Sequence, residues 1–339
     1  MKFDYVIGNP CYQKESVGAN SNDTPLYHYF LDSSFEISDK VELIHPARFL
    51  FNAGGTPAEW NKKMLNDPHF KVEKFTQKSA EIFPGTDIKG GVAITYRDKN
   101  KDFGAIGTFT AHDGLNKIIK KVYKEPFSSL SDTITNRGIY KYSNQAYEEE
   151  PNELKKTADK RIAPSAFERM PKLFTTEKPN DNHEYIQLLG NIKNQRVYRW
   201  FRKDYIQQVD NINKYKVLVP KANGSGTLGE TLSTPLIAPP LTGFTETYIS
   251  IGECEKKEEA EACLKYVKTK FARIMLGVLK VTQNNAKPAW FFVPYQDFSL
   301  NSDIDWSKSI HEIDLQLYNK YGFTQEEINF IETNAKEMN

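Results

Sequence analysis

Along the first hundred residues, apolar and polar positions switch repeatedly between a two-residue and a helical period. The runs Tyr5-Val6-Ile7-Gly8, Lys40-Val41-Glu42-Leu43-Ile44, Phe70-Lys71-Val72-Glu73-Lys74-Phe75 and Gly91-Val92-Ala93-Ile94-Thr95-Tyr96 predict strands over 4–8, 40–44, 70–75 and 91–96. Helical patterns lie between them around 25–37 and 57–66, the second opening with Thr56 before Pro57, a favourable helix start. This alternation predicts an α/β unit with a largely parallel sheet. Phe83-Pro84-Gly85 marks a turn or loop between the last two strands.

The texture changes after Lys99-Asn100-Lys101-Asp102. Residues 103–250 are rich in Tyr, Asn, Lys and Pro, with short β-like runs such as Lys216-Val217-Leu218-Val219-Pro220. Gly224-Ser225-Gly226-Thr227-Leu228-Gly229 lacks the strand before and the helix after that a dinucleotide loop requires, which predicts a flexible loop. Residues 256–280 predict one helix, with Ala260, Leu264, Val267, Phe271, Met275 and Leu279 near helical spacing and facing a core. Thr324-Gln325-Glu326-Glu327 is a capping box that opens the second of two C-terminal helices. The expected division is 1–102, 103–300 and 301–339: an α/β part, an α+β part and a helical segment.

Composition narrows the class. The chain has 339 residues, 39% of them hydrophobic, which is enough for two cores and argues against global disorder. Neither a membrane-length apolar run nor a signal-peptide pattern is present in the sequence. Three cysteines, Cys11, Cys254 and Cys263, stand far apart without metal-type spacing, a pattern suited to a reducing cytoplasm. The net charge is +1, but residues 101–223 hold 22 Lys and Arg against 15 Asp and Glu. A locally basic region in a neutral protein is expected of a nucleic-acid-binding face, and equally of a solvated surface.

The candidate chemistry stands at the start. The strand at 4–8 delivers Asn9, Pro10, Cys11 and Tyr12 to its carboxyl end, where open α/β sheets bind ligands. An amide, a constrained turn and a ring at such a place suit a flat heterocycle. An adenine amino group is a poor nucleophile because its lone pair is delocalised. Acceptors against both N–H bonds bias it toward a reactive geometry, and the Asn9 side-chain oxygen with the Pro10 carbonyl are suitable. Tyr12 is the ring on which an extruded base would stack. Taken alone, the four residues are equally a turn after a strand.

The string Phe3-Asp4-Tyr5-Val6-Ile7-Gly8-Asn9-Pro10-Cys11-Tyr12 resembles the Asn-Pro-Pro-Tyr signature of type II restriction–modification N6-adenine DNA methyltransferases, with Cys11 in place of the second proline. Ile44-His45-Pro46-Ala47-Arg48-Phe49-Leu50, the segment from Ile82 to Tyr96, and the tail from Val293 through Trp306 to Phe323 are similar to further parts of that family. The resemblance implies catalytic roles for Asn9, Pro10 and Tyr12, and a second base-stacking ring at Phe83, which is otherwise read as a core plug. It implies a partial Rossmann-like methyltransferase sheet followed by an α+β target-recognition domain, with double-stranded DNA as partner. The family's methyl donor is S-adenosylmethionine, held by a glycine-rich loop and an acidic residue that precede the Asn-Pro motif in chain order. Only eight residues precede Asn9, so this reading expects the donor site in an N-terminal half or subunit. It also expects the strand at 4–8 to form an exposed apolar edge.

Within the basic middle, Lys193, Arg196, Arg199, Arg202 and Lys203 are the candidate DNA contacts, Arg and Gln for base edges and Lys for phosphate. The competing reading of this stretch is a helical face with solvated Arg and buried Trp200 and Phe201. One other class stays open, a non-catalytic DNA-specificity module or remnant. A nuclease finds little support: Asp87-Ile88-Lys89 mimics part of a metal motif but lies in the segment already matched to the methyltransferase loop. No metal site is expected.

Overall fold

The computed structural model describes residues 2–14, 24–51, 55–88, 90–124, 126–280 and 282–338. The chain divides into two compact units, Met1–Asn116 and Lys117–Asn339. Both mix helices with small sheets, giving an α/β chain.

In the first unit, β1 (Val6–Gly8), β2 (Lys40–Pro46), β3 (Phe70–Thr76) and β4 (Val92–Asp98) form one sheet in the order β1-β2-β4-β3. Helices α1 (Tyr27–Ile37) and α2 (Ala58–Asn66) fall where the apolar spacing puts them. β1 and β2 are parallel, with Gly8 opposite Leu43. The expectation of a largely parallel sheet fails at β4, which runs antiparallel to both β2 and β3. The cause is the β3–β4 connection, whose regular structure is the 3-10 turn Ser79–Glu81. A parallel return needs a crossover over one face of the sheet, usually built by an α-helix, and the described residues of this connection form none. Tyr27, Leu31, Leu43, Phe49, Trp60, Met64 and Phe70 build the core beneath the sheet.

β1 is an edge strand with exposed apolar residues. Phe3 is 50%, Tyr5 43% and Ile7 75% exposed. Such an edge presents unpaired backbone groups beside apolar side chains, a template for another strand.

The second unit contains two three-stranded sheets. β5 (Tyr185–Ile192) and β6 (Gln195–Arg202) form a hairpin, and β9 (Thr242–Phe244) joins β5 in parallel. β7 (Tyr215–Pro220) lies between β8 (Leu236–Ala238) and β10 (Tyr248–Cys254). Tyr140, Tyr142, Phe167, Phe174, Leu188 and Phe201 are among its core residues.

Following α3 (Asp113–Val122), the helix expected over 256–280 is two helices, α4 (Lys257–Lys268) and α5 (Lys270–Leu276). The break is Thr269, whose extended backbone and hydroxyl cap α5 by accepting from the Ala272 N–H. The Asp314 carboxylate accepts from the Lys270 and Phe271 N–H groups as well, so the new helix start is fully capped. The C-terminal pair α6 (Ile310–Lys320) and α7 (Gln325–Asn334) follows, each opened by a capping box, Ser309 with Glu312 and Thr324 with Glu327. Residues 224–229 form no regular element, as expected. Their Ser225 and Gly226 N–H groups donate to the Glu230 carboxylate, so the loop closes on an anion of its own chain.

Candidate functional site

The sequence from β1 builds the site in one turn. Asn9 and Cys11 are exposed, and Pro10 and Tyr12 are half-buried. The Tyr12 carbonyl accepts from the Leu26 N–H at 2.9 Å and the Tyr27 N–H at 3.4 Å. It thereby satisfies orphan donors at the start of α1 and fixes the motif's exit. Gln13 and Lys14 then pair with Pro25 and Thr24.

Phe83 is brought to Tyr12. The two ring centroids lie 6.5 Å apart, with planes inclined at 63°, an edge-to-face contact. The loop holding Phe83 is tied at several points. The Phe83 N–H donates to the Ser79 carbonyl, the Thr86 N–H and hydroxyl donate to the Phe83 carbonyl, and the Ser79 hydroxyl accepts from the Ile88 N–H. The Tyr12 hydroxyl is buried without a hydrogen-bond partner. Burial raises its pKa, and the Asn9 amide beside it opposes that rise, although no hydrogen bond of ordinary geometry joins the two. The site therefore contains a buried polar atom that a bound polar group could satisfy.

Behind the motif, His45 on β2 stacks parallel to Tyr27 at 5.5 Å. Ala47 donates its N–H to the Gly91 carbonyl at 3.0 Å, joining the end of β2 to the start of β4. Gly91 has φ of +82°, and a Cβ there would stand 2.6 Å from the Thr76 carbonyl oxygen. Glycine is thus required at the foot of the loop that carries Phe83.

Asn9, Pro10, Tyr12 and Phe83 are brought together in the first unit, and the five candidate DNA contacts belong to the second. That stretch is strand, not helix: Lys193 and Asn194, with φ of 49° and 63°, form the two-residue turn between β5 and β6, a geometry suited to tight hairpins. The five cations differ in their partners. Arg202 binds Glu149 at 2.8 Å and Asp204 at 2.5 Å, with 14% of its side chain exposed. Its guanidinium also covers the Tyr205 ring at 4.0 Å. Lys203 pairs with Glu184 at 2.7 Å. Arg196 donates to the Ser233 carbonyl and lies over Tyr248, and Arg199 donates to the neighbouring Tyr198 carbonyl.

Sequence reading passed over Tyr198, which is 42% exposed beside these cations. The two-residue turn between alternating runs was the signal that could have revealed it. A cavity of about 740 Å³ is lined by second-unit residues including Thr135, Arg137, Glu253 and Tyr295. It includes none of the candidate residues above. Among the described residues, no cluster of His, Cys, Asp and Glu could hold a metal ion, and no helix is long and apolar enough to cross a membrane. Lys89, of the nuclease-like Asp87-Ile88-Lys89, lies outside the described residues.

Residues 1–83 match the family model described as Eco57I restriction-modification methylase. The matched stretch contains the Asn9–Tyr12 motif and Phe83, so the candidate site falls in a segment similar to restriction–modification methylases. No curated protein matches the chain. Among solved structures, the chain is similar to the type IIG restriction endonuclease BpuSI at 9% identity and a TM-score of 0.34, covering 93% of this chain and 48% of that one. A second is the type IIL restriction-modification enzyme MmeI in complex with DNA, at 10% identity and a TM-score of 0.34, covering 98% and 56%. The chain spans about half the length of these structures. Similarity at that TM-score assigns no fold by itself.

Proposed function

We propose that the first unit carries the base-binding part of an N6-adenine DNA methyltransferase site, and that the second unit contacts the DNA target. The observation that carries this reading is the meeting of Tyr12 and Phe83 beside Asn9 at the carboxyl end of β1, inside the stretch matched by the methylase family. In this reading the adenine amino group donates one N–H to the Asn9 amide oxygen and the other to the Pro10 carbonyl. That arrangement concentrates its lone pair toward the methyl donor. Tyr12 and Phe83 take the two faces of the base. Two stacking layers need rings about 7 Å apart and parallel, so the inclined pair at 6.5 Å must open as the base enters.

S-adenosylmethionine would supply the methyl group. The glycine-rich stretch 224–229 does not fit it, because Glu230 already occupies the loop's N–H groups. We therefore assign the donor site to a polypeptide segment outside these elements, in an N-terminal half or a separate subunit. The open edge of β1, with Ile7 75% exposed, supports a strand from such a partner adding there. The edge-to-face contact of Tyr12 with Phe83 also suits a second reading, a specificity module that binds DNA without methylating it.

The test is methyl transfer from labelled S-adenosylmethionine to adenine-containing duplex DNA, with the chain alone and with a candidate donor-binding partner. Activity of the pair, lost by at least about 100-fold in Asn9→Ala, is the expected result. Equal activity of Asn9→Ala and the unmodified chain overturns the catalytic assignment. DNA binding without transfer in any pairing selects the specificity module.

A further inference from the structure

The outward row of β6 combines features that the methylation reading does not use. Strand alternation and the pairings Asn191–Arg196, Leu189–Tyr198 and Gln187–Trp200 set Arg196, Tyr198 and Trp200 on one side of the hairpin. The opposite row carries Val197, Arg199 and Phe201, of which Val197 and Phe201 pack into the core. Tyr198 is 42% exposed, and Lys178 lies over the Trp200 ring at 5.7 Å. Same-side residues on a strand stand roughly 7 Å apart, the space of one flat ring between two others.

Charge within the hairpin sequence has one sign. Between Tyr185 and Phe201 the chain has Lys193, Arg196 and Arg199 and no carboxylate. Arg196 is held in place by the Ser233 carbonyl and the Tyr248 ring, and Tyr248 is itself fixed by donating to the Asn191 side-chain oxygen at 2.6 Å. The edge of β6 is covered at Trp200, whose N–H and carbonyl pair with Thr175. The Arg196–Tyr198 end of the edge carries the cations.

We propose that this row is a stacking face for an unpaired nucleobase, with Tyr198 as the platform and Lys193 and Arg196 holding the flanking phosphates. Rings interleaved with cations match single-stranded DNA, whose every base offers a π-face and whose backbone is anionic. This rests on the second unit being the DNA-contacting part. It adds that the unit engages a base outside the duplex, such as one left unpaired when its neighbour is extruded.

Binding of the full chain to a labelled single strand of about 12 nucleotides and to the same sequence as duplex tests the idea by fluorescence anisotropy. Tyr198→Ala should weaken single-strand binding by about 5- to 100-fold, the range of one lost base stack. Tyr198→Phe should restore it, and duplex affinity should change far less. Thermal melting verifies that the variants are folded. Tyr198→Ala binding the single strand as tightly as the unmodified chain overturns the stacking face. So does an equal loss on single strand and duplex, which indicates phosphate docking alone. Duplex binding without single-strand binding overturns this inference and leaves the DNA reading standing, whereas binding to neither removes both.

Discussion

Acid should loosen the first unit through His45. The residue is fully buried on β2, stacked on Tyr27 and packed against the tilted Phe49 ring, each 5.5 Å away. Its Nδ1 lies 3.1 Å from the Pro46 carbonyl oxygen, and its Nε2 2.7 Å from the Thr95 hydroxyl. A carbonyl can only accept, so Nδ1 carries the hydrogen and Nε2 accepts from Thr95. The neutral ring is thus fully satisfied by these two partners. Burial pushes its pKa down to about 4, against about 6.5 in an unfolded chain. Between those values the unfolded state binds a proton that the native state refuses. Stability is therefore present above pH 6.5 and lost as pH falls toward 4, with a slope approaching about 1.4 kcal/mol per unit and a total near 3 kcal/mol. Urea unfolding from pH 7 to 4.5 should show this slope reduced by about one proton in His45→Gln. The imidazole C–H resonance of the unmodified chain should titrate near 4. A midpoint near 6.5, or identical slopes in both proteins, would refute the argument. The loss reaches the candidate site because Tyr27, stacked on His45, begins the helix that the Tyr12 carbonyl caps.

Gly91→Ala should destabilise the first unit by at least about 2 kcal/mol, since it combines a left-handed backbone with a clash against fixed backbone at Thr76. Full stability of that variant in urea would show that the loop can shift. In the second unit, Arg202→Ala should cost about 1–2 kcal/mol by stripping Glu149 and Asp204 of their cation, discounted for their partial exposure. Arg199→Ala should stay within about 0.5 kcal/mol, and equal urea midpoints for the two variants would contradict this division.

The elements of the first unit are legible because its apolar runs are short, punctuated and of one period each. Val6–Gly8, Lys40–Pro46 and Val92–Asp98 lie within two residues of their sequence-based limits. Strand direction was not legible there. It depends on how the chain from Thr76 to Val92 returns, and this segment builds its turn from hydrogen bonds around Ser79 rather than from a helix. The break at Thr269 was hidden for a related reason. Apolar spacing continues through it, while the capping carboxylate comes from Asp314, 44 residues beyond Lys270. In the β5–β6 hairpin, the density of Arg and Lys masked the alternation that sends Phe201 inward and Tyr198 outward.

The five basic residues at 193–203 show why charge counted along a sequence overstates a binding face. A cation contributes to long-range attraction only as far as its neighbours leave it uncompensated. Arg202 lies between two carboxylates, and Lys203 has Glu184, so these two add little field beyond the protein surface. Arg196 and Arg199 instead use backbone carbonyls, which orient a guanidinium without cancelling its charge. With Lys193 in the turn, the uncompensated charge gathers toward the tip of the hairpin. Removing Arg196 or Arg199 should therefore lower the salt dependence of DNA binding by about one ion each. Removing Arg202 should change mainly the stability of the fold. A salt slope that falls equally for all three would mean that Glu149 and Asp204 release Arg202 when DNA arrives.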